Sequence, residues 1–97
     1  INNGYLGMVR QWQDIFHDKN YSEVRILGPD FVKLAEAYGV AGIRITRDDE
    51  IAAAIEQARS IKGPVVLEFV VEPEANVWPM VPAGASNSDM MLGRGGK

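Results

Sequence analysis

The sequence predicts an α/β fold in which a mostly parallel sheet is flanked by helices. Two strand-like segments, residues 41–45 and 65–71, stand on either side of a helical segment, and the connections between them are short. The second segment is almost continuously apolar, which is typical of a strand covered on both faces of a parallel sheet. This order predicts a βαβ unit with a right-handed crossover. Glu68 is the odd charge in the second strand. If it is buried it must be paired, and a position at the end or edge of the strand is the simpler interpretation.

An amphipathic helix is predicted over residues 6–17, because apolar residues recur there at a spacing close to three and four residues. Met8 and Trp12 are four residues apart and therefore share one face of this helix. They either belong to the core, as most such pairs do, or wall an apolar pocket. We expect the neighbouring side chains of Arg10 and Gln11 to be exposed to solvent.

Two further helices are predicted from their caps. The first begins after Asp30, whose side chain can cap it, and ends at Gly39, where a left-handed backbone is favoured. The next helix is expected to begin at a Thr46 cap, with acidic residues in its first turn, and to end at residues 63–64. Its apolar stripe, which we expect to be buried, consists of Ile51, Ala54, Ile55, Ala58 and Ile61.

Length and composition exclude several classes of function. The 97 residues are enough for one domain. Ten Lys and Arg against thirteen Asp and Glu give a net charge of −3, which excludes a basic surface for nucleic acid. No apolar run is long enough for a transmembrane helix, so we expect no membrane partner either. The sequence without cysteine excludes thiol catalysis and fits a cytoplasmic protein, and the single histidine leaves little room for a histidine-based metal cluster.

The chain is predicted to contain a partial α/β domain over residues 1–71 and an irregular C-terminal tail over residues 72–97. The tail holds three of the five prolines and lacks a periodic apolar pattern. The first three residues resemble the end of a strand followed by its turn, and the strand that should precede them is missing. Since two strands and a fragment of a third make a narrow sheet, we expect the chain to be a piece of a larger domain.

The segment from Asn2 to Tyr5 lies between this presumed strand and the first helix, which is where open α/β sheets bind their ligands. An asparagine oxygen is a hard, neutral ligand suited to Mg²⁺, and the start of the helix would favour a phosphate group. The alternative is that the Asn-Asn-Gly sequence serves only as a turn, because these residues dominate turns for conformational reasons.

The run NNGYLGMVRQWQ at residues 2–13 resembles the large catalytic subunit of the acetolactate (acetohydroxyacid) synthase family. The likeness continues in order through residues 29–37, 62–65 and 78–81, and it covers residues 1–92. The matching portion is the C-terminal part of the thiamine-diphosphate-binding domain of that subunit. The resemblance therefore implies an α/β domain with a mostly parallel sheet flanked by helices.

The resemblance also implies roles for four residues at a cofactor and substrate site. Asn3 would give its side-chain oxygen to Mg²⁺, and Tyr5 its backbone carbonyl, and the metal would tie the cofactor's diphosphate to the protein. Met8 would lie near the thiazolium and in the substrate pocket, and Trp12 would line the pocket for the second 2-oxo acid. Residues 81–84 would lie near the substrate channel.

The family reaction is the decarboxylation of pyruvate on thiamine diphosphate, with transfer of the two-carbon unit to pyruvate or 2-oxobutanoate in branched-chain amino-acid biosynthesis. The resemblance further implies FAD in the full-length protein, a homodimer or tetramer, and a regulatory small subunit. The Gly-Asp-Gly half of the cofactor motif, with its aspartate metal ligand, is missing from this chain. The domain that carries the activating glutamate is missing too. We therefore expect the isolated chain to be inactive and to contain no catalytic residue.

Two alternatives remain open at this point. The first is another thiamine-diphosphate-dependent 2-oxo acid decarboxylase or carboligase, although Gln11-Trp12-Gln13 favours the synthases. The second is a non-catalytic α/β interaction module, in which Asn2 and Asn3 form only a turn and Trp12 belongs to the core.

Overall fold

The computed structural model describes residues 1–94, and their contacts divide the chain into two compact units. The first unit consists of Ile1–Tyr5 and Arg25–Pro73, and the second of Leu6–Val24 and the segment that begins at Glu74. Each unit is assembled from two separate segments, so this division does not test a single boundary along the chain. The predicted boundary at residue 71 therefore stays a prediction. The last three residues of the predicted tail lie outside the described residues.

The helices and strands follow the predicted order. They are α1 (Gly7–Phe16), α2 (Phe31–Ala37), β1 (Ala41–Ile45), a 3-10 turn (Asp48–Glu50), α3 (Ile51–Ser60), β2 (Val65–Phe69) and a second 3-10 turn (Asn87–Asp89). None of the helices in residues 1–94 combines the length and the apolar character that crossing a bilayer requires.

The sheet of the first unit is parallel, which confirms the predicted α/β class. Strands β1 and β2 pair in register from Ala41 opposite Val65 to Ile45 opposite Phe69. Asn2 adds a further parallel bridge beyond the end of β2, where its N–H donates to the carbonyl of Phe69 at 2.7 Å. The N–H of Val71 in turn donates to the carbonyl of Asn2 at 3.0 Å. The start of the chain is therefore joined to the two-stranded sheet by an isolated parallel bridge at Asn2.

Helix α2 begins as predicted. The Asp30 side chain accepts hydrogen bonds from the N–H groups of Val32 and Lys33, both at 3.1 Å. The helix approaches β1 so closely that a Cβ atom at Gly42 would lie 3.0 Å from the backbone of Val32. A glycine at this position therefore lets the helix pack directly on the strand.

The predicted Thr46 cap of the third helix is wrong. The Glu50 carboxylate instead reaches back and accepts hydrogen bonds from the N–H groups of Thr46 and Arg47, at 3.0 and 3.1 Å. A 3-10 turn over Asp48–Glu50 precedes the helix, which starts at Ile51. Thr46 stands too far before the helix to cap it, and Glu50 bonds to backbone groups that precede the helix rather than to the N–H groups of its first turn.

The apolar core of the first unit is small. Its buried apolar residues are Ala35 of α2, Ile45 of β1 and Ala54 of α3. The predicted stripe of α3 is therefore only partly buried, and Ile55 is exposed. Val66 of β2 is exposed as well, so the expectation that this strand is covered on both faces is wrong for the described residues.

The second unit is built on α1, which matches the helix predicted over residues 6–17. The N–H of Leu6 donates to the carbonyl of Val24, the buried apolar residue of this unit. The segment after Glu74 contains the second 3-10 turn and an antiparallel bridge between Met80 and Met91, and is otherwise irregular through residue 94.

Candidate functional site

The asparagine segment of the first unit forms two consecutive side-chain turns. The Oδ1 atom of Asn2 accepts a hydrogen bond from the N–H of Gly4 at 3.0 Å, and Oδ1 of Asn3 accepts one from the N–H of Tyr5 at 3.2 Å. Gly4 has a φ of +69°, a left-handed conformation that glycine adopts without strain. The expected turn is therefore present. Because an amide oxygen has two lone pairs, each asparagine oxygen can still accept one further partner.

A cleft of about 430 Å³ opens beside this turn. The turn forms one side of it, and the extended chain at residues 26–29 and the ring of Phe31 form the other. Cavities that hold a small molecule or a cofactor are commonly 300–1,000 Å³ in volume, so this cleft is of a suitable size.

The turn supplies oxygen donors of the kind that Mg²⁺ binds. The side-chain oxygen of Asn3 and the backbone carbonyl of Tyr5 are both neutral, hard ligands. Within residues 1–94 there is no group of three or more His, Cys, Asp or Glu side chains that could hold a metal ion. The donor set therefore fits Mg²⁺ in chemical type, but it is only part of an octahedral set, which phosphate oxygens, water or further ligands must complete.

A buried carboxylate ties the turn to the sheet. Glu68 of β2 is 6% exposed, and its Oε1 accepts a hydrogen bond from the side-chain amide of Asn2 at 2.7 Å. Its Oε2 accepts one from Nε of Arg44 on β1, also at 2.7 Å. The same guanidinium donates to Oδ1 of Asp30, the cap of α2, at 2.7 Å. Glu68 is therefore buried and, as burial requires, paired. Its bond to the Asn2 amide holds Asn2 directly before the candidate ligand Asn3.

These partners favour the ionised form of Glu68. The hydrogen bonds from the Asn2 amide and from the Arg44 guanidinium lower the pKa of the Glu68 carboxyl below its ordinary value of 4.5. The backbone N–H of Lys33 and the guanidinium of Arg44 lower the pKa of Asp30 in the same way. Because each pKa is lower in the folded chain, the stabilisation is fully present above the ordinary value. It is lost as the pH falls through the lowered pKa.

A Glu68→Gln variant is therefore expected to be less stable than the original chain at pH 7 and to lose less stability on acidification. Urea unfolding at pH 7 and at several values between about pH 5 and about pH 3 measures both effects. Glu56→Gln is the matched control, since it removes the same charge from an exposed pair with Arg59 on α3. Equal acid sensitivity in the two variants would contradict the role of Glu68.

In the second unit, α1 presents Met8 and Trp12 outward. Met8 is 51% exposed and Trp12 is 37% exposed, so the interpretation of this pair as ordinary core does not hold in the described structure. The ring of Trp12 lies against that of Phe16, one turn further on, with centroids 4.9 Å apart and planes inclined by 41°. This tilted contact is a favourable aromatic geometry, and it leaves an apolar face on the helix.

The opposite face of α1 is polar and buried, which corrects the expectation that Arg10 and Gln11 are solvated. Arg10 is 0% exposed and Gln11 is 1% exposed, and Asp14 is buried beside them. The Arg10 guanidinium donates to the carbonyl of Ala75 at 3.0 Å and to the side-chain oxygen of Asn76. Both side chains bond to residues 75–77, which no local pattern in the helix sequence reveals.

Asp14 completes this polar cluster. Its Oδ2 accepts a hydrogen bond from the Asn76 side-chain amide at 2.7 Å, and its Oδ1 contacts the guanidinium of Arg94. The buried helix face is thus bonded to the C-terminal segment of its own unit.

The predicted site residues fall in both units. Asn3 and Tyr5 belong to the first unit, and Met8 and Trp12 to the second. Residues 81–84, the expected channel segment, also belong to the second unit. They end in a turn, where the N–H of Ala85 donates to the carbonyl of Pro82 at 3.0 Å and Gly84 has a φ of +81°. Sequence reasoning missed the partners of Glu68 and the buried pair Arg10 and Gln11.

Comparison with known proteins places this geometry in a family. A family profile described as "Thiamine pyrophosphate enzyme, C-terminal TPP binding domain" matches residues 1–69. The chain is 50% identical to an acetolactate synthase of Mycobacterium bovis over 98% of its length, and this covers 16% of that relative. It is 46% identical to the acetolactate synthase isozyme 2 large subunit of Escherichia coli over 94% of its length, or 17% of the relative.

The mitochondrial acetolactate synthase catalytic subunit of Saccharomyces cerevisiae is 45% identical over 95% of the chain and 13% of its own length. The resemblance stated from the sequence is therefore confirmed. The chain spans about a sixth of the length of the two bacterial relatives.

Proposed function

The chain belongs to the thiamine pyrophosphate enzymes, in the family of their C-terminal TPP-binding domain, and from that premise we propose that it serves acetolactate synthesis. In this reaction pyruvate is decarboxylated on thiamine diphosphate (thiamine pyrophosphate), and the two-carbon unit is transferred to pyruvate or 2-oxobutanoate. The observation that carries the proposal is the 50% identity to an acetolactate synthase over 98% of the chain.

Asn3 and Tyr5 would hold Mg²⁺ and, through it, the diphosphate of the cofactor. The neutral oxygens of the asparagine turn and the cleft of about 430 Å³ beside it support this assignment. When bound, thiamine diphosphate supplies the electron sink that lets CO₂ leave.

Met8 and Trp12 would form the apolar wall of the substrate pocket, with Met8 also against the cofactor. Their exposure on one face of α1 supports this role, because an apolar wall must face the space it lines. Such a wall excludes water and protons from the reacting centre, where stray protonation would divert the transferred unit.

The proposal extends to the protein in which this chain acts. The small share of the relatives' length that the chain covers supports a longer polypeptide of the acetolactate synthase kind. FAD as a second cofactor and 2-oxo acids as substrates are proposed from the resemblance. We include a homodimer or tetramer and a regulatory small subunit, which rest on the resemblance, and a cytoplasmic location, which rests on the absence of cysteine. The isolated chain, with only part of a Mg²⁺ site, is proposed to be inactive.

A chimera tests the proposed function. This chain replaces the 92 matched residues of the Escherichia coli isozyme 2 large subunit, and products from pyruvate are measured with Mg²⁺ and thiamine diphosphate. We expect acetolactate from the chimera, and from the isolated 97-residue chain neither turnover nor cofactor binding tighter than about millimolar.

The control is the unmodified Escherichia coli subunit. Acetaldehyde as the main product would favour a 2-oxo acid decarboxylase instead. A folded chimera that makes no product would favour an α/β interaction module, and turnover by the isolated chain would refute the proposed inactivity.

A further inference from the structure

The two glutamines of the Gln11-Trp12-Gln13 sequence make the same bonding pattern on either side of the tryptophan. The side-chain amide of Gln11 donates to the carbonyl of Val77 at 3.0 Å, and its oxygen accepts from the N–H of Val77 at 2.7 Å. Gln13 pairs in the same way with Ser22, at 3.1 and 2.9 Å. Each side chain thereby satisfies both backbone groups of one residue, as a neighbouring strand would.

We propose that Gln11 is a positioning residue for Trp12. It fixes the rotation of α1 about its axis, so that the indole faces outward into the pocket that binds the second 2-oxo acid. The pocket assignment rests on the proposed function, whereas the fixed rotation rests only on contacts within the second unit. Gln11 does not touch the reacting atoms and acts through Trp12.

Gln11 is the more buried of the two glutamines, and we expect its bonds to hold the helix more firmly than those of Gln13. Its side chain is 1% exposed, and its amide nitrogen also lies 3.2 Å from Sδ of Met80. Because the Gln11 side chain itself is buried, a change there removes both bonds to Val77 and leaves a buried polar group of the new side chain without those partners, although Val77 is 63% exposed. Gln13 makes equivalent bonds in an exposed setting, where water takes over when the side chain is lost.

Because α1 is a rigid helix, bonds that fix Gln11 also fix the direction in which Trp12 points. Successive residues are about 100° apart around the axis, so Arg10 lies about 160° from Trp12 and Gln11 about 100° from it. With Arg10 and Gln11 both bonded to residues 75–77, the helix is held on its inner side and can rotate little. Trp12 and the adjoining ring of Phe16 are then presented on the outer side in one orientation.

The first test uses the full 97-residue chain labelled with 5-fluorotryptophan and observed by ¹⁹F NMR. A Trp78→Phe variant assigns the Trp12 resonance, since the chain has two tryptophans. Gln11→Glu keeps the size of the side chain and removes the donor to Val77. We expect the Trp12 resonance to shift, split or broaden in this variant while the helix content by circular dichroism stays the same. Gln13→Ala, the matched control, is expected to leave the resonance in place.

A Val77→Pro variant tests the same link from the other side. It removes the backbone donor to Gln11 and leaves the sequence of α1 intact, so it remains informative if Gln11→Glu fails to fold. We expect the Trp12 resonance to change here too. A Trp12 resonance that is unchanged in a folded Gln11→Glu or Val77→Pro chain would overturn the proposal, and so would an equal change in Gln13→Ala.

The second test measures acceptor choice in the chimera described above. With pyruvate and 2-oxobutanoate together, Gln11→Glu is expected to change the ratio of the two products by about threefold or more, whereas Gln13→Ala keeps it. An altered total rate with a constant ratio would show a merely structural role and would overturn the substrate part of the proposal. A chimera that is inactive before any Gln11 change refutes the proposed function, while the NMR result still decides whether Gln11 positions Trp12.

Discussion

Replacing Arg10 by methionine is expected to lower the free energy of unfolding by about 3–5 kcal/mol, the usual cost of removing one partner from a buried charged cluster. Methionine keeps the apolar stem of the side chain but loses every hydrogen bond of the guanidinium. The carbonyl of Ala75 and the side-chain oxygen of Asn76 would lose their donor, and the hydroxyl of Tyr21 would lose a contact of 3.2 Å. Asp14, 3.9 Å from the guanidinium, would lose a neighbouring positive charge.

Urea unfolding followed by tryptophan fluorescence measures this loss, and hydrogen exchange of the α1 amides locates it in the second unit. Arg59→Met is the matched control, because Arg59 forms an exposed pair with Glu56 on α3 and such pairs add little stability. A loss at Arg10 no larger than that at Arg59 would show that the cluster does not stabilise the unit. A loss confined to the amides of α2 and α3 would contradict its location.

The elements of the first unit were predictable because their signals are local. Asp30 bonds to N–H groups two and three residues ahead of it, so the sequence around the cap contains all the partners. The strand at Ala41–Ile45 and its parallel partner follow from short apolar patterns separated by a helix. The Thr46 prediction failed within the same range of sequence, because a 3-10 turn over Asp48–Glu50 precedes the helix and moves its start to Ile51, beyond the reach of a Thr46 cap.

The buried face of α1 was not predictable from its own sequence. The apolar residues of the helix suggest one inward face, yet the partners that decide the matter lie at residues 75–77, more than sixty positions away. Most of these partners are backbone groups of an irregular segment. No pattern of side chains in the sequence therefore indicates that α1 has a buried polar face. Arg10 and Gln11 therefore look like surface residues in the sequence and are among the most buried side chains in the structure.

In the candidate site, too, contacts between near neighbours in the sequence were predictable and contacts between distant residues were not. The asparagine turn was recognisable because Asn3 bonds within two residues of itself. The general need of Glu68 for a partner was also evident, since an apolar strand does not bury a free carboxylate. Its actual partners, Asn2 and Arg44, are 66 and 24 positions away and come together only through the parallel sheet. The sequence thus indicates the proposed ligand, Asn3, whereas only the folded sheet shows the partners that hold the neighbouring Asn2.

Replacing Asn3 by alanine in the chimera is expected to raise the Mg²⁺ concentration for half-maximal activity by about 100-fold or more, beyond the 10–100-fold loss typical of residues that only support a ligand. The change removes a proposed oxygen ligand and also the acceptor for the N–H of Tyr5, whose carbonyl is the second proposed ligand. The asparagine turn would therefore lose both a donor atom and the bond that orients the other. Thiamine diphosphate binding, measured by calorimetry at fixed Mg²⁺, should weaken in parallel.

An Asn3→Asp variant separates the two effects. Aspartate keeps an oxygen ligand and the acceptor for Tyr5, so we expect it to retain most of the Mg²⁺ response that alanine loses. Asn87→Ala, in the exposed 3-10 turn of the second unit, serves as the control for removing an asparagine elsewhere. If Asn3→Ala leaves both the Mg²⁺ response and cofactor binding unchanged, the asparagine segment is only a turn. If Asn3→Asp fails as completely as alanine although the chimera is folded, the neutral amide itself is required.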